Sequence, residues 1–306
     1  MINILGKRYY YFALSMLIII PGMIVLAIWG LPLSIDFQGG TMLEVQFASG
    51  NLPSTEDVVA VYSQLGINDP QVQTTGQNTL NIRSSFLDDS MRSEILNALT
   101  TQLNDQAELV RYESVGPTIG REVTSRAGIA VGVAALAVIL YITYAFRGVP
   151  HAVRYGICAI IAMIHDVLIV ISIAAIGGHF FGWQIDSLFL TALLTVIGFS
   201  TQDKIVVFDR IRENNNIFRR LPFETLVNHS IVQTLQRSIN AQSMTVEFML
   251  LALALFGGIT LREFAVILLV GLFSGTYSSI FIAAPILVVW EKKEWRSWFH
   301  RTPVNA

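Results

Sequence analysis

Six apolar stretches limit what this chain can become. They cover residues 9–30, 127–146, 155–176, 187–208, 239–256 and 264–290. A helix rises about 1.5 Å per residue, so roughly 20 mostly apolar residues match the hydrocarbon thickness of a bilayer. Backbone polar groups in lipid must be satisfied internally, which leaves the helix as the form for such continuous runs. Apolar residues are 53% of the chain, charged residues 14%, and the mean hydropathy is +0.56, outside the range of ordinary soluble domains. The expectation is a polytopic α-helical membrane protein with six transmembrane helices. The only cysteine, Cys158, lies inside an apolar run, which excludes an intrachain disulfide and a thiolate metal cluster. The first run follows Lys7-Arg8 as a secretory signal would. It exceeds the usual signal core of about 7–15 residues and no A-x-A-like site closes it, so it reads as a retained span.

Basic residues set the orientation. With a cytoplasmic N-terminus, the inside segments carry thirteen Lys and Arg, against Arg262 alone in the short loops 177–186 and 257–263. The positive-inside rule then places both termini in the cytoplasm. The expected organisation is a cytoplasmic N-terminus and first span over 1–30, an extracytoplasmic domain over 31–126, a five-helix membrane region over 127–290 and a cytoplasmic tail over 291–306. The polar block alternates over 41–48, with Leu43, Val45 and Phe47 on one face and Met42, Glu44 and Gln46 on the other, as a half-buried strand does. Ser54, with Asp57 three residues on, is placed to cap a helix through Leu65. Strands are expected at 71–75 and 79–83 around Gly76-Gln77-Asn78, then an amphipathic helix over 88–103 and a last strand over 107–115. This βαββαβ order predicts a small α+β ferredoxin-like domain, which by itself fixes no function. In the basic loop 209–236, Pro222-Phe223-Glu224 opens a short surface helix whose charges suit lipid headgroups rather than nucleic acid.

Ionisable residues inside the apolar runs are the candidates for function, since a charge at bilayer depth costs about 2.5–3.5 kcal/mol on insertion scales. His165 and Asp166 fall mid-way along the third run. Their two readings are a hydrogen-bonded structural pair and a step on a proton or ion path. Asp203 lies in the fourth run and Arg237 at the start of the fifth, each seventeen residues from Arg220, the midpoint of the intervening hairpin. Arms of equal length bring them to one depth. A pair there that opens to admit a proton couples protonation to helix packing; a pair that never opens is only structural. Lys204 and Glu247 differ in depth by eleven residues, on the order of 16 Å, and are not paired. Glu247 reads as a second carboxylate on the path, and Lys204 as a side chain that snorkels to the cytoplasmic surface.

Four motifs give the chain a relationship. Asp36-Phe37-Gln38-Gly39-Gly40-Thr41 follows the first run, and His165-Asp166-Val167-Leu168 lies in the third. Ile205-Val206-Val207-Phe208-Asp209-Arg210-Ile211-Arg212-Glu213-Asn214 closes the fourth, and Gly275-Thr276-Tyr277-Ser278-Ser279-Ile280 lies in the sixth. In order and position they resemble the SecD/SecF family of protein-export membrane subunits. That resemblance implies a bundle similar to the resistance-nodulation-division exporters, a location in the bacterial cytoplasmic (inner) membrane, and a SecD partner. It also implies work beside a SecYEG-type Sec channel and its accessory subunits on a translocating preprotein, with no cofactor, metal or nucleic acid. The family implicates the carboxylate at Asp203 and the arginine at Arg237 in proton passage, and its signatures include Asp36, Gly39, Gly40, Asp209 and Arg210. Where the family usually reads Asn-Asp-Thr this chain has Gln202-Asp203-Lys204, and Glu247 stands where a small uncharged residue is expected. These departures leave protons and sodium both open as the coupling ion.

Two other functions fit the composition. A half-transporter of the resistance-nodulation-division type for small lipophilic molecules would need a roomy external domain, and 31–126 is short for one. An intramembrane hydrolase would use Ser200 with His165, but Gln202 replaces the last glycine of a G-x-S-x-G elbow.

Overall fold

The computed structural model describes residues 3–67, 70–75, 78–147, 152–240 and 248–294. The chain is mostly helical with one small sheet. It divides into two compact units, Met1–Leu31 with Ala130–Trp183 and Leu188–Ala306, and Pro32–Ile129 with Gln184–Ser187.

Among the described residues five helices are long and apolar enough to cross a membrane: Leu5–Trp29, Pro117–Ala145, Val153–Phe181, Ser187–Ile217 and Leu261–Glu291. In the numbering used below they correspond to α1 (Arg8–Trp29), α5 (Pro117–Ala145), α6 (Ala152–Phe181), α7 (Ser187–Ile217) and α10 (Ile259–Ser278). The last continues through a π-helical turn, Ser279–Ala283, into α11 (Ala284–Glu291). The expected span at 239–256 runs through 241–247, which lie outside the described residues; its described part includes α9 (Phe248–Phe256). The turn residues Gly76 and Gln77 and the tail from 295 onward also lie outside them.

Small residues set the helix spacing in this unit. A Cβ added at Gly22 of α1 would stand 2.2 Å from Ser172 of α6, and one at Gly271 of α10 would stand 2.1 Å from Val196 of α7. Between apolar helices in lipid, close backbone approach supplies the contact that the hydrophobic effect supplies in water. α7 runs nine residues past the predicted end of its span, to Ile217. The short surface helix expected after Pro222 is α8 (Phe223–Ser238), which is packed rather than superficial. Leu226, Val227 and Ile231 are buried in one apolar cluster with Phe208, Ile211 and Leu287. These three share one helical face, with Val227 and Ile231 one turn apart, and form the contact stripe of a helix against protein.

The second unit contains α2 (Ile35–Gln38), β1 (Gly40–Phe47), α3 (Thr55–Gln64), β2 (Gln71–Thr75), β3 (Thr79–Ser84), α4 (Asp89–Gln102) and β4 (Ala107–Val115). The strand order is β2-β3-β1-β4 with every neighbour antiparallel. Alternation along β1 buries Leu43, Val45 and Phe47 with Val58, Tyr62, Ile82, Ile95 and Leu99. The sheet thus carries α3 and α4 on one face. Ser54 Oγ accepts from the amide of Asp57 at 3.1 Å and donates to its carboxylate at 2.7 Å, and Asp88 caps α4 through the Met91 amide at 2.8 Å. Capping satisfies amides that a first helical turn otherwise leaves open.

Candidate functional site

The site begins with a close crossing. A Cβ at Gly275 of α10 would lie 3.1 Å from Ser200 of α7, so only glycine lets the two backbones come this near without a shift. The crossing brings short serine side chains within reach of buried carboxylates. Asp166 of α6 and Asp203 of α7 are 1% and 6% exposed.

Asp166 is saturated. Its Oδ2 accepts from Ser200 Oγ at 2.6 Å, Ser278 Oγ at 2.7 Å and Lys204 Nζ at 2.6 Å; its Oδ1 accepts from Ser274 Oγ at 2.7 Å and faces His165 Nδ1 at 3.0 Å. Lys204, with no exposed surface, gives its other protons to the hydroxyl and, at 3.3 Å, the carbonyl of Ser200. The expectation that Lys204 snorkels to the surface is therefore corrected. An ammonium needs three acceptors, and three lie within reach one turn back and across on α6, so the buried position satisfies it.

A sequence signal for this pair was present. Asp166 and Lys204 each stand nineteen residues from Ile185, the midpoint of the α6–α7 hairpin. The hairpin count that matched Asp203 with Arg237 also matches Lys204 with Asp166. The serines carried no comparable signal, because a hydroxyl on a transmembrane helix is as often bonded to its own backbone, as Thr201 is to Ile197 at 2.7 Å.

Asp203 has a sparser shell. It accepts from Ser238 Oγ at 2.9 Å and Ser279 Oγ at 2.5 Å, and no ion pair holds it among the described residues. Arg237 lies in the last turn of α8, exposed and next to Ser238. The π-helical turn begins at Ser279, directly after Ser278. Two consecutive serines thereby serve two different carboxylates, as suits a helical irregularity at a working site.

The other candidates separate. His165 leaves Nε2 buried without a hydrogen bond among the described residues and stacks on Tyr277, ring centroids 6.3 Å apart. Ser200 and His165 both spend their bonds on Asp166, so they form no dyad. Glu247 lies outside the described residues. Asp209 pairs with Arg212 at 2.6 Å; Arg210 bonds Glu213 at 2.5 Å and Gln233 of α8 at 2.7 Å. Asn214 is buried, donating to Ser230 at 2.8 Å and Gln233 at 2.9 Å, so this motif fastens α7 to α8.

In the sheet unit, Asp36 accepts from the amide and hydroxyl of Ser187 at 3.0 and 2.7 Å, capping the start of α7. Gly39 and Gly40 have φ of 76° and 135°. A Cβ at Gly39 would lie 2.7 Å from Pro117 Cα, and one at Gly40 would lie 2.6 Å from the Ser84 carbonyl oxygen, so glycine is required there on both counts. Among the described residues no three His, Cys, Asp or Glu side chains are placed to hold a metal ion.

Residues 95–293 match the family described as "Protein export membrane protein SecD/SecF, C-terminal", and residues 24–50 match the "SecD/SecF GG Motif" that contains Gly39 and Gly40. The chain belongs to the SecD/SecF family. It is 69% identical to the protein translocase subunit SecF of Anaerolinea thermophila, over 98% of each chain. It is 48% identical to that of Thermobaculum terrenum, over 100% of this chain and 99% of the relative. Among solved structures it is similar to SecDF from Thermus thermophilus, described as a translocon-associated membrane protein. The TM-score is 0.82 at 33% identity, covering 95% of this chain and 39% of that one. The chain thus spans about two fifths of the SecDF polypeptide and nearly all of the separate SecF subunits.

Proposed function

We propose that this chain is an accessory subunit of Sec protein export in the bacterial cytoplasmic membrane. In this reading both termini are cytoplasmic, six helices span the bilayer, and the βαββαβ unit is a ferredoxin-like domain on the outer side. A SecD subunit supplies the part of SecDF that this chain does not span, and the pair works beside a SecYEG-type channel on preprotein emerging from it. Relatives named as translocase subunits and the fused SecDF chain support these partners.

Proton-motive force drives the late stage of export through Asp203. The observation that carries this is the contrast in shells. Among the described residues Asp203 is buried with two hydroxyl donors and no ion pair, while Asp166 holds four donors, one of them an ammonium, and faces a histidine nitrogen. A buried carboxylate not held in a direct ion pair exchanges between two partners, a proton and a guanidinium that moves in. Arg237 adjoins Ser238, which already touches Asp203, so a small rotation of the end of α8 replaces hydroxyl by guanidinium. One charge crossing 100 mV supplies about 2.3 kcal/mol, enough to shift a helix equilibrium of a few kcal/mol.

Asp203→Asn keeps the size and accepts the same hydroxyls but cannot cycle a proton. Its expected phenotype is normal insertion and normal co-purification with SecD, with loss of the proton-gradient-dependent increment of export from membrane vesicles. Export that responds to the gradient as in the wild type overturns the reading.

A further inference from the structure

The second carboxylate raises a different question. Lys204 Nζ sits among oxygens only: Asp166 Oδ2 at 2.6 Å, the Ser200 carbonyl at 3.3 Å and the Ser200 hydroxyl. Ser278 donates to that same carboxylate oxygen at 2.7 Å, and Ser274 steadies the other at 2.7 Å. One carboxylate oxygen, one carbonyl and one hydroxyl around a single point are the all-oxygen donor type that hard cations take. The groups that face it are His165 on Asp166 from α6, Tyr277 stacked on His165 from α10, and Asp203 one residue before Lys204 on α7.

We propose that Lys204 is a tethered cation: its ammonium fills a monovalent-cation position built by Asp166 and Ser200, with Ser278 holding the carboxylate in place, and keeps a free alkali ion such as sodium out of it. The three N–H donors of an ammonium meet three acceptors there, with no proton left over and no exposed surface on the side chain. A free ion enters and leaves down its gradient; an ammonium on a four-carbon stem does not. The charge at Asp166 is therefore constant through a cycle, and the variable charge is confined to Asp203. That consequence, that this chain selects protons over sodium, rests on the ion-coupled reading of Asp203. The occupancy of the cradle by Lys204 does not.

Emptying the position tests the proposal. Lys204→Ala deletes the ammonium and leaves the oxygens. The full chain, solubilised in detergent, is unfolded thermally in sodium, lithium, potassium and choline chloride at equal ionic strength. Wild type is expected to unfold at one temperature in all four salts. The variant is expected to unfold earlier in choline and to recover progressively with sodium concentration, since an ion bound only by the folded state stabilises it by mass action. Asp166→Asn combined with Lys204→Ala removes the charge that attracts the ion and is expected to lose the sodium response.

The proposal is overturned if Lys204→Ala unfolds alike in every salt, if it cannot be recovered folded even when prepared in sodium, or if wild type responds to sodium as the variant does. None of these readouts involves export. A failed sodium rescue beside a positive Asp203→Asn result removes the tethered cation alone, and the opposite pair of results removes only the export reading.

Discussion

Asp166 and Asp203 lie in one helix bundle, both buried, and receive opposite treatment. Asp166 is surrounded by an ammonium, three serine hydroxyls and a histidine nitrogen. Asp203 has two hydroxyls, and the arginine expected to pair with it stands at the exposed end of α8. A carboxylate in a low-dielectric interior stays ionised when its lone pairs and its charge are both answered. Answering only the lone pairs leaves it free to trade partners. The comparison teaches that intramembrane charge alone does not mark the moving part; the completeness of the shell does.

The comparison breaks most visibly at Lys204. Lys204→Met strands the Asp166 carboxylate and is expected to cost about 3–5 kcal/mol in denaturant unfolding of the solubilised chain. Adding Asp166→Asn removes the stranded charge and recovers most of that loss. Equal losses in the single and double variants would show that the two side chains do not form a pair. Next in size, Ser279→Ala takes one of two donors from Asp203 and is expected to cost about 1.5–3 kcal/mol, the range for hydrogen bonds to charged groups. Ser274→Ala takes one of four from Asp166 and should cost visibly less by the same assay.

Gly271→Ala tests the spacing beneath both shells. Its Cβ would meet Val196 at 2.1 Å, so about 1–3 kcal/mol is expected, with partial restoration by Val196→Ala.

The smallest effect is at the rim, where Glu224 offers a partly exposed carboxylate for reference. The hydrogen bond from Lys292 holds it below its ordinary value of 4.5; burial works against this, and Arg8, at 2.7 Å, adds to the lowering. A lowered carboxyl contributes fully above its unfolded-state value and loses that contribution as pH falls through its folded-state value. The unfolding-temperature gap between wild type and Glu224→Gln is therefore expected to be small at neutral pH, worth about 1 kcal/mol or less, and to close on acidification below the usual glutamate range.

Much of the sheet unit was legible, because Leu43, Val45 and Phe47 alternate and Ser54 and Asp88 sit where caps belong. Each signal is local, spanning a few residues of one element. The membrane helices were equally legible as runs, yet their ends and partners were not. α7 continues to Ile217 through charged residues because Asn214 and Arg210 find partners on α8, a tertiary reason that hydropathy does not carry. The carboxylates were found as misfits in apolar runs. Their shells were hidden because serine is ordinary in a membrane helix, and because the partner of Lys204 lies across the α6–α7 hairpin rather than the one that follows α7. The amphipathic face of α8 was visible as Leu226, Val227 and Ile231; a periodic stripe does not say whether it meets lipid or protein.

The most direct measurement is the pH-difference infrared spectrum of the full chain in lipid, read at the carbonyl stretch of protonated carboxylic acids. A band that grows on acidification in the wild type, disappears in Asp203→Asn and persists in Lys204→Met/Asp166→Asn is the predicted result. A band that survives Asp203→Asn and is lost with Asp166 would mean the wrong carboxylate has been assigned to carry the proton.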